Sequence, residues 1–409
     1  MTQVEQLLGE LDARLQRADN ELAARYPGER AERQPVHTAY VPADRYDADT
    51  VATWGRQAGR VVDDCAAALA SIDGAVLDRV RAKLAAEPVE DLRIDLEDGY
   101  GTRPDAEEDA AAVDAARVLA RSVHDGTAPP FHGIRFKSLE RPTRARGVRT
   151  LDLVVGELAA AGALGAGFVV TLPKVTSVDQ VEAMLLVCER LEARHGLPAG
   201  ALRFEVQVET PQAVLGADGT ALLARMIHAA GGRCSGLHYG TYDYSASCGI
   251  AAAYQSMEHP AADHAKAVMQ VAAAGTGVHL SDGSTNVLPV GEQAAAAEAW
   301  RLHARLVRRS LERGFYQGWD LHPHQLPSRY VATYSFYREG LPLAARRLRA
   351  YVGGGESGYL DEPATAAALA GFLLRGVECG AVDDAEVADL VGVDGARLVV
   401  LARRREESR

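Results

Sequence analysis

Short apolar runs of five or six residues alternate along this chain with longer, alanine-rich stretches in which apolar positions recur every three or four residues. The first pattern is that of strands buried on both faces, and the second that of helices with one buried stripe. Eight runs predict strands: VHTAYV (36–41), DLRIDL (91–96), HGIRFK (132–137), GFVVTL (167–172), RFEVQV (203–208), SGLHYG (235–240), GVHLS (277–281) and GWDLH (318–322). Helical periodicity fills the intervals at 51–87, 105–125, 147–164, 178–195, 211–230, 260–274 and 291–313. A strand-then-helix rhythm repeated eight times predicts an α/β fold, the (β/α)8 TIM barrel, whose chemistry belongs at the C-terminal ends of the strands.

The flanks differ from this rhythm. Residues 1–34 predict a helical segment, with Leu7, Leu8, Leu11, Leu15 and Leu22 at helical spacing and Pro27-Gly28 as its breaker, expected to pack on the barrel exterior. The barrel is expected over 35–327. Beyond Pro327 only helical patterns remain, interrupted by a flexible GGGESG, so 328–409 is expected to be a helical extension that covers the barrel mouth, pairs subunits, or both.

Composition narrows the class. A chain of 409 residues suits one large barrel with terminal additions. No apolar run reaches the length of about 18 residues that spans a membrane, and the acidic, amphipathic start lacks the layout of a secretory signal. The expectation is a cytoplasmic protein with no membrane partner. A net charge of −12 argues against nucleic acid, whose phosphates need a basic surface. Five scattered cysteines without CxxC pairs are expected to be reduced thiols.

Polar residues gather where the apolar runs end, as the barrel rule requires. RFEVQVETP delivers Glu209 to a strand end, and GLHYGTYDY delivers Asp243 from the following one. Two converging carboxylates, completed by water and substrate, suit Mg²⁺, with Mn²⁺ as the alternative. Arg135 lies inside an apolar strand, where a guanidinium needs anionic partners; a substrate carboxylate or enolate oxygen fits its fork, and so do Glu97 and Asp98 of the neighbouring strand. Those two acids are expected to orient Arg135, with a direct catalytic role for one of them also open. Lys174 is expected to hold an ion pair or an anion rather than to form a Schiff base, because a proline precedes it and a metal site lies close by. His322 is a candidate acid or base, as is His37, and Tyr40 shares the first strand with His37 as a substrate contact; simple packing is the alternative for each histidine.

Taken together these motifs resemble the superfamily of the citrate lyase beta-subunit, malyl-CoA lyase and 4-hydroxy-2-oxoheptanedioate aldolase (HpcH/HpaI), over about 36–330. The residues that carry the resemblance are Asp95-Leu96-Glu97-Asp98, Arg135, Pro173-Lys174, Glu209-Thr210-Pro211, Asp243 and His322-Pro323-His324-Gln325. The resemblance implies metal-stabilised enolate chemistry on a 2-oxoacid or acyl-CoA, by an enzyme that makes or breaks a carbon–carbon bond. Departures from the family pattern are the acidic segment after Asp98, the strand-six sequence HYGTYDYSASCGI and the insert SDGSTNVLPV (281–290). Two alternatives stand beside the lyase or aldolase: a CoA-thioester lyase or thioesterase, with the arginines at 141, 144, 146 and 149 holding the nucleotide, and a non-catalytic metabolite-binding barrel. A homo-oligomer is the expected assembly.

Overall fold

The computed structural model describes residues 2–403 apart from Ala31, Ser71 and Glu356, so the last residues of the expected extension, 404–409, lie outside the described residues. Eight parallel strands are present: β1 (His37–Pro42), β2 (Asp91–Asp95), β3 (Phe131–Arg135), β4 (Phe168–Leu172), β5 (Arg203–Val208), β6 (Cys234–Tyr239), β7 (His279–Ser281) and β8 (Gly318–Asp320). They are ordered β7-β6-β5-β4-β3-β2-β1-β8, and a parallel bridge from Ser281 to Gln317 joins the two ends into a barrel. Helices ring the outside, burying Val, Leu, Ile and Ala side chains of the outward strand positions.

Two helices predicted as continuous are broken. The stretch 51–87 forms Thr50–Leu69 and Gly74–Ala86, because Ala70 turns to φ 51° and the Asp73 carboxylate accepts from Ala75 N to start the second helix. The stretch 211–230 keeps only Pro211–Val214 and Leu222–Ala229. Between them a turn intervenes, with Gly219 at φ 78° and Asp218 bonded to the Thr220 hydroxyl.

The barrel interior departs from the usual branched apolar filling. Arg93 of β2 reaches across to Glu205 of β5 through Nη2–Oε2 (2.9 Å) and Nε–Oε1 (3.1 Å), and also pairs with Asp91. Thr171 donates to the same glutamate at 2.5 Å, and His238 Nε2 meets its other oxygen at 2.8 Å. Trp319 Nε1 donates to His238 Nδ1 at 3.3 Å, so both ring nitrogens of His238 have a partner. A polar floor therefore lies beneath the mouth, every member bonded to another.

The extension packs as a long helix, Leu326–Gly353, against the outer helices Gln293–Glu312, Gly74–Ala86 and Thr50–Leu69, burying Tyr330, Tyr334, Tyr337 and Leu348. Three further helices follow at Pro363–Glu378, Asp384–Val391 and Gly395–Arg403. Arg375 bonds Glu29, and Tyr330 donates to Pro88 O, which places these contacts toward the N-terminal end of the barrel. The first helix, Gln3–Arg25, differs from the packed exterior helix its leucines predict: none of its residues is buried. No helix among the described residues is long and apolar enough to cross a membrane.

Candidate active site

Strand alternation decides which side chains face the barrel axis. On β2 the inward positions are Asp91, Arg93 and Asp95, and the register sets Asp95 directly beside Arg135 of β3. The result is a bidentate pair, Arg135 Nε to Asp95 Oδ1 at 2.8 Å and Nη2 to Oδ2 at 2.6 Å. Asp95 is thus the acid that orients Arg135, a role the sequence reading gave to Glu97 and Asp98. The Tyr40 ring lies beneath the guanidinium, 4.8 Å from Cζ, and stacks on Trp319 at 4.6 Å. The remaining nitrogen, Nη1, points toward Glu97 Oε2 (3.4 Å) and Gln207 Oε1 (3.5 Å) at the mouth.

Lys174 is the hub of that mouth. Its ammonium pairs with Glu97, with Asp98 at 2.8 Å and with Asp243 at 3.3 Å. Its backbone has φ 52°, in the left-handed region that a non-glycine residue adopts at a cost, and so turns its N–H onto Glu209 Oε1 at 2.6 Å. Glu209 ends β5 and is 1% exposed; its other oxygen accepts from Gln207. Asp243 lies in the first turn of the short helix Thr241–Ser247 that follows β6.

Charge does not balance here. Glu97, Asp98, Glu209 and Asp243 converge around one ammonium, while Arg135 is already matched by Asp95. Burial, only partly opposed by Lys174 and reinforced by Glu97 and Asp243, pushes the Glu209 carboxyl up to about 8. Burial also raises Glu97, against Arg135 and Lys174, and its Oε2 accepts no hydrogen bond from the described residues. For Asp98, burial is outweighed by Lys174, which holds its carboxyl below the usual range.

A divalent cation fits this surplus. Among the described residues no group of three or more His, Cys, Asp or Glu is arranged as a metal cage, which is what a structural zinc would require. Mg²⁺ takes one or two carboxylates and keeps several waters. Glu209 and Asp243 meet the same lysine, the first at its backbone N–H and the second at its ammonium.

The other candidates are dispersed. His37 faces outward from β1: its Nδ1 lies 2.8 Å from Asp320, its Nε2 accepts from Glu90 N, and Tyr330 of the extension covers the ring. As the first residue of β1 it sits at the end of the barrel away from the mouth, and the inward positions of that strand are Thr38 and Tyr40. His322 is half-buried at the mouth rim, where its Nδ1 accepts from His324 N. It lines a cleft of about 270 Å³ with Tyr40, Arg45, Asp47 and Trp54, and burial and His324 lower its pKa. Gln325 staples the rim, accepting from Leu321 N and donating to Thr285 O of the 281–290 insert. That insert is tied to the helix Thr241–Ser247 by Tyr242, whose hydroxyl accepts from Asn286 N. Lys137 turns away to Glu108, Leu96 O and Gly101 O. Arg146 and Arg149, expected as nucleotide contacts, both pair with Asp109.

Gln207 and Tyr242 are residues of this site that the sequence did not single out, and Asp95, named there as a strand-end acid, was not assigned to Arg135. The i, i+2 spacing of Asp91, Arg93 and Asp95 was the available signal for that pairing.

The chain belongs to the family described as a domain of unknown function, DUF6986, whose model matches residues 15–406. No curated protein matches it. Among solved structures it is similar to Haloferax volcanii malate synthase in its native form at 3 mM glyoxylate, with a TM-score of 0.54 and 17% identity over 93% of this chain and 100% of that one. It is similar also to the magnesium/glyoxylate complex of that enzyme (TM-score 0.53, 18% identity, 92% and 100% covered). A Mycobacterium tuberculosis citrate lyase beta subunit complexed with oxaloacetate and magnesium matches with a TM-score of 0.43 and 18% identity, over 73% of this chain and 96% of that one. At these identities the likeness is one of fold, and the fold is the one the sequence motifs imply.

Proposed function

We propose that this member of the DUF6986 family is a Mg²⁺-dependent carbon–carbon lyase or aldolase acting on a 2-oxoacid or related carboxylate. The observation that carries the reading is the uncompensated carboxylate cluster at the barrel mouth, with Glu209 buried and its carboxyl pushed up to about 8. The magnesium/glyoxylate complex of the similar malate synthase agrees with it. Glu209 and Asp243 would hold the cation, which when bound supplies Lewis-acid polarisation of a carbonyl and its neighbouring carboxylate.

The chain's own groups do the rest. Arg135 is fixed on one edge by Asp95 and beneath by Tyr40, so its Nη1, held only by the longer contacts to Glu97 and Gln207, is preorganised for an oxyanion that develops at the mouth. Lys174 holds Glu97, Asp98 and Asp243 in place and anchors Glu209 through its backbone N–H. Glu97 and Asp98 are adjacent acids whose pKa values are pushed in opposite directions, the arrangement that separates proton-carrying from permanently ionised roles. Glu97 is accordingly assigned to proton transfer at the substrate carbon or hydroxyl, and Asp98 to keeping Lys174 in place. The acyl-CoA alternative is less favoured, since two of its four proposed arginines are committed to Asp109.

Incubation of the protein with Mg²⁺ and pyruvate or oxaloacetate in deuterated water, followed by NMR, tests the reading. Metal-dependent loss of the α-proton signal is expected; an α-proton that does not exchange with any 2-oxoacid refutes it. Glu97→Gln should bind Mg²⁺ as the parent does, by calorimetry, yet exchange that proton about 10²- to 10⁴-fold more slowly. Gly240 lies against the metal glutamate: a Cβ there would come within 2.5 Å of Glu209 Cβ and 3.0 Å of its Oε2. Gly240→Ala is therefore expected to displace that carboxylate and weaken Mg²⁺ binding about 10-fold or more, by the same titration.

A further inference from the structure

The helix Gln3–Arg25 carries Val4, Leu8, Leu11, Leu15, Ala18 and Leu22 at alternating intervals of four and three residues. That is the 3.5-residue period of a coiled-coil seam, narrower than the stripe of a helix packed on a globular core. No residue of the helix is buried, and Val4, Leu8, Leu11, Leu15 and Leu22 are all between 42% and 64% exposed. The helix is well started, since Thr2 and Glu5 form a reciprocal capping box. It touches the barrel at its far end, where Tyr26 meets His228 at 5.3 Å and Gly28 N donates to Gly275 O. Helices in water draw most of their stability from packing of an apolar face, and among the described residues nothing buries this one.

We propose that this helix pairs with the same helix of a second copy, in parallel and in register, as a two-stranded coiled coil that makes the protein a dimer. Charge selects the partner and the direction. One flank of the seam carries Glu5, Asp12 and Asp19, and the other Leu7, Arg14 and Glu21. In a parallel pair each Arg14 meets Asp19 of the partner subunit, and no like charges meet across the seam. In an antiparallel pair Asp12 meets its own copy, Arg14 meets its own copy, and Glu5 meets the partner's Asp19. Like charges then oppose one another at every flanking contact except that of Leu7. The small Ala18 within the seam lets two backbones come close at that level. Because the helix leaves the barrel beside the starts of β6 and β7, the coil lies beneath the N-terminal face, and both mouths stay open.

Light scattering on the full-length protein at micromolar concentration should give twice the chain mass of 43.6 kDa. The double variant L8E/L15E should halve that mass while leaving turnover and the thermal transition of the barrel unchanged, since neither side chain packs on the barrel. Leu11→Cys, in a Cys248→Ser background that removes the one exposed thiol, should form an interchain disulfide on mild oxidation, because only a parallel register sets position 11 against itself. A monomeric or trimeric parent, a dimer that survives L8E/L15E, or a Leu11→Cys chain that stays uncrosslinked overturns the proposal.

Discussion

Glu209→Gln is expected to remove the response to Mg²⁺ and to lower kcat/KM by about 10³-fold, while leaving the fold intact. The amide keeps an oxygen for the Lys174 N–H but loses the charge that a cation needs. A second effect of opposite sign accompanies the loss. In the metal-free protein, burial, against Lys174 but reinforced by Glu97 and Asp243, moves the Glu209 carboxyl from 4.5 up to about 8. Between those values the folded chain holds a proton that the unfolded chain has released, so metal-free stability falls as pH rises through this window and levels off above it. Glutamine has no such proton. Melting curves from pH 5 to 9 without metal should therefore slope downward for the parent and less so for the variant. Turnover that persists in chelator, or in Glu209→Gln, would defeat the assignment of Glu209 as a ligand.

How much of this was legible in the sequence follows from which physical rule each residue obeys. The eight strands were legible because a buried strand must be apolar on its outward face and end in turn residues, and the observed bounds fall within a few residues of the predicted ones. The strand-end acids were legible because a barrel gathers chemistry at one end. Direction around the strand was harder. His37 was read as an acid or base and Tyr40 as a substrate contact at the same site, yet odd and even positions face opposite ways; His37 went to the helix layer and Tyr40 to the interior. The acids of Asp95-Leu96-Glu97-Asp98 posed the same problem, and only the pairing of Asp95 with Arg135 shows which of them grips the guanidinium. The first helix misled for a different reason. Its leucines signal burial, and periodicity alone does not say whether the covering surface is this chain or another.

The polar floor of the barrel gives the largest expected effect on stability. Arg93→Met should destabilise the fold by about 3–5 kcal/mol, measured by chemical denaturation, because it leaves the buried carboxylates of Asp91 and Glu205 without their cation. Glu205 is the more exposed to this loss in the energetic sense. Burial alone would raise its carboxyl, but Arg93 and then His238 hold it well below the usual range. A lowered carboxyl contributes stability that is present above its unfolded pKa and disappears as pH falls through the folded value, so the parent should lose this contribution only in strong acid. With Arg93 removed, Glu205 is expected to take up a proton at much milder pH, and the variant's deficit should shrink as pH is lowered toward 4. The double variant Arg93→Met/Glu205→Gln should recover part of the loss, since an amide in that position bonds Thr171 and His238 without a charge to compensate. Recovery would locate the cost in the stranded carboxylate; a double variant no more stable than Arg93→Met would place it in lost packing instead. The floor also bears on the mouth, for Tyr40 and Trp319 rest on it and carry Arg135 above them. If the floor sets the height of that guanidinium, the double variant will fold and still turn over substrate more slowly.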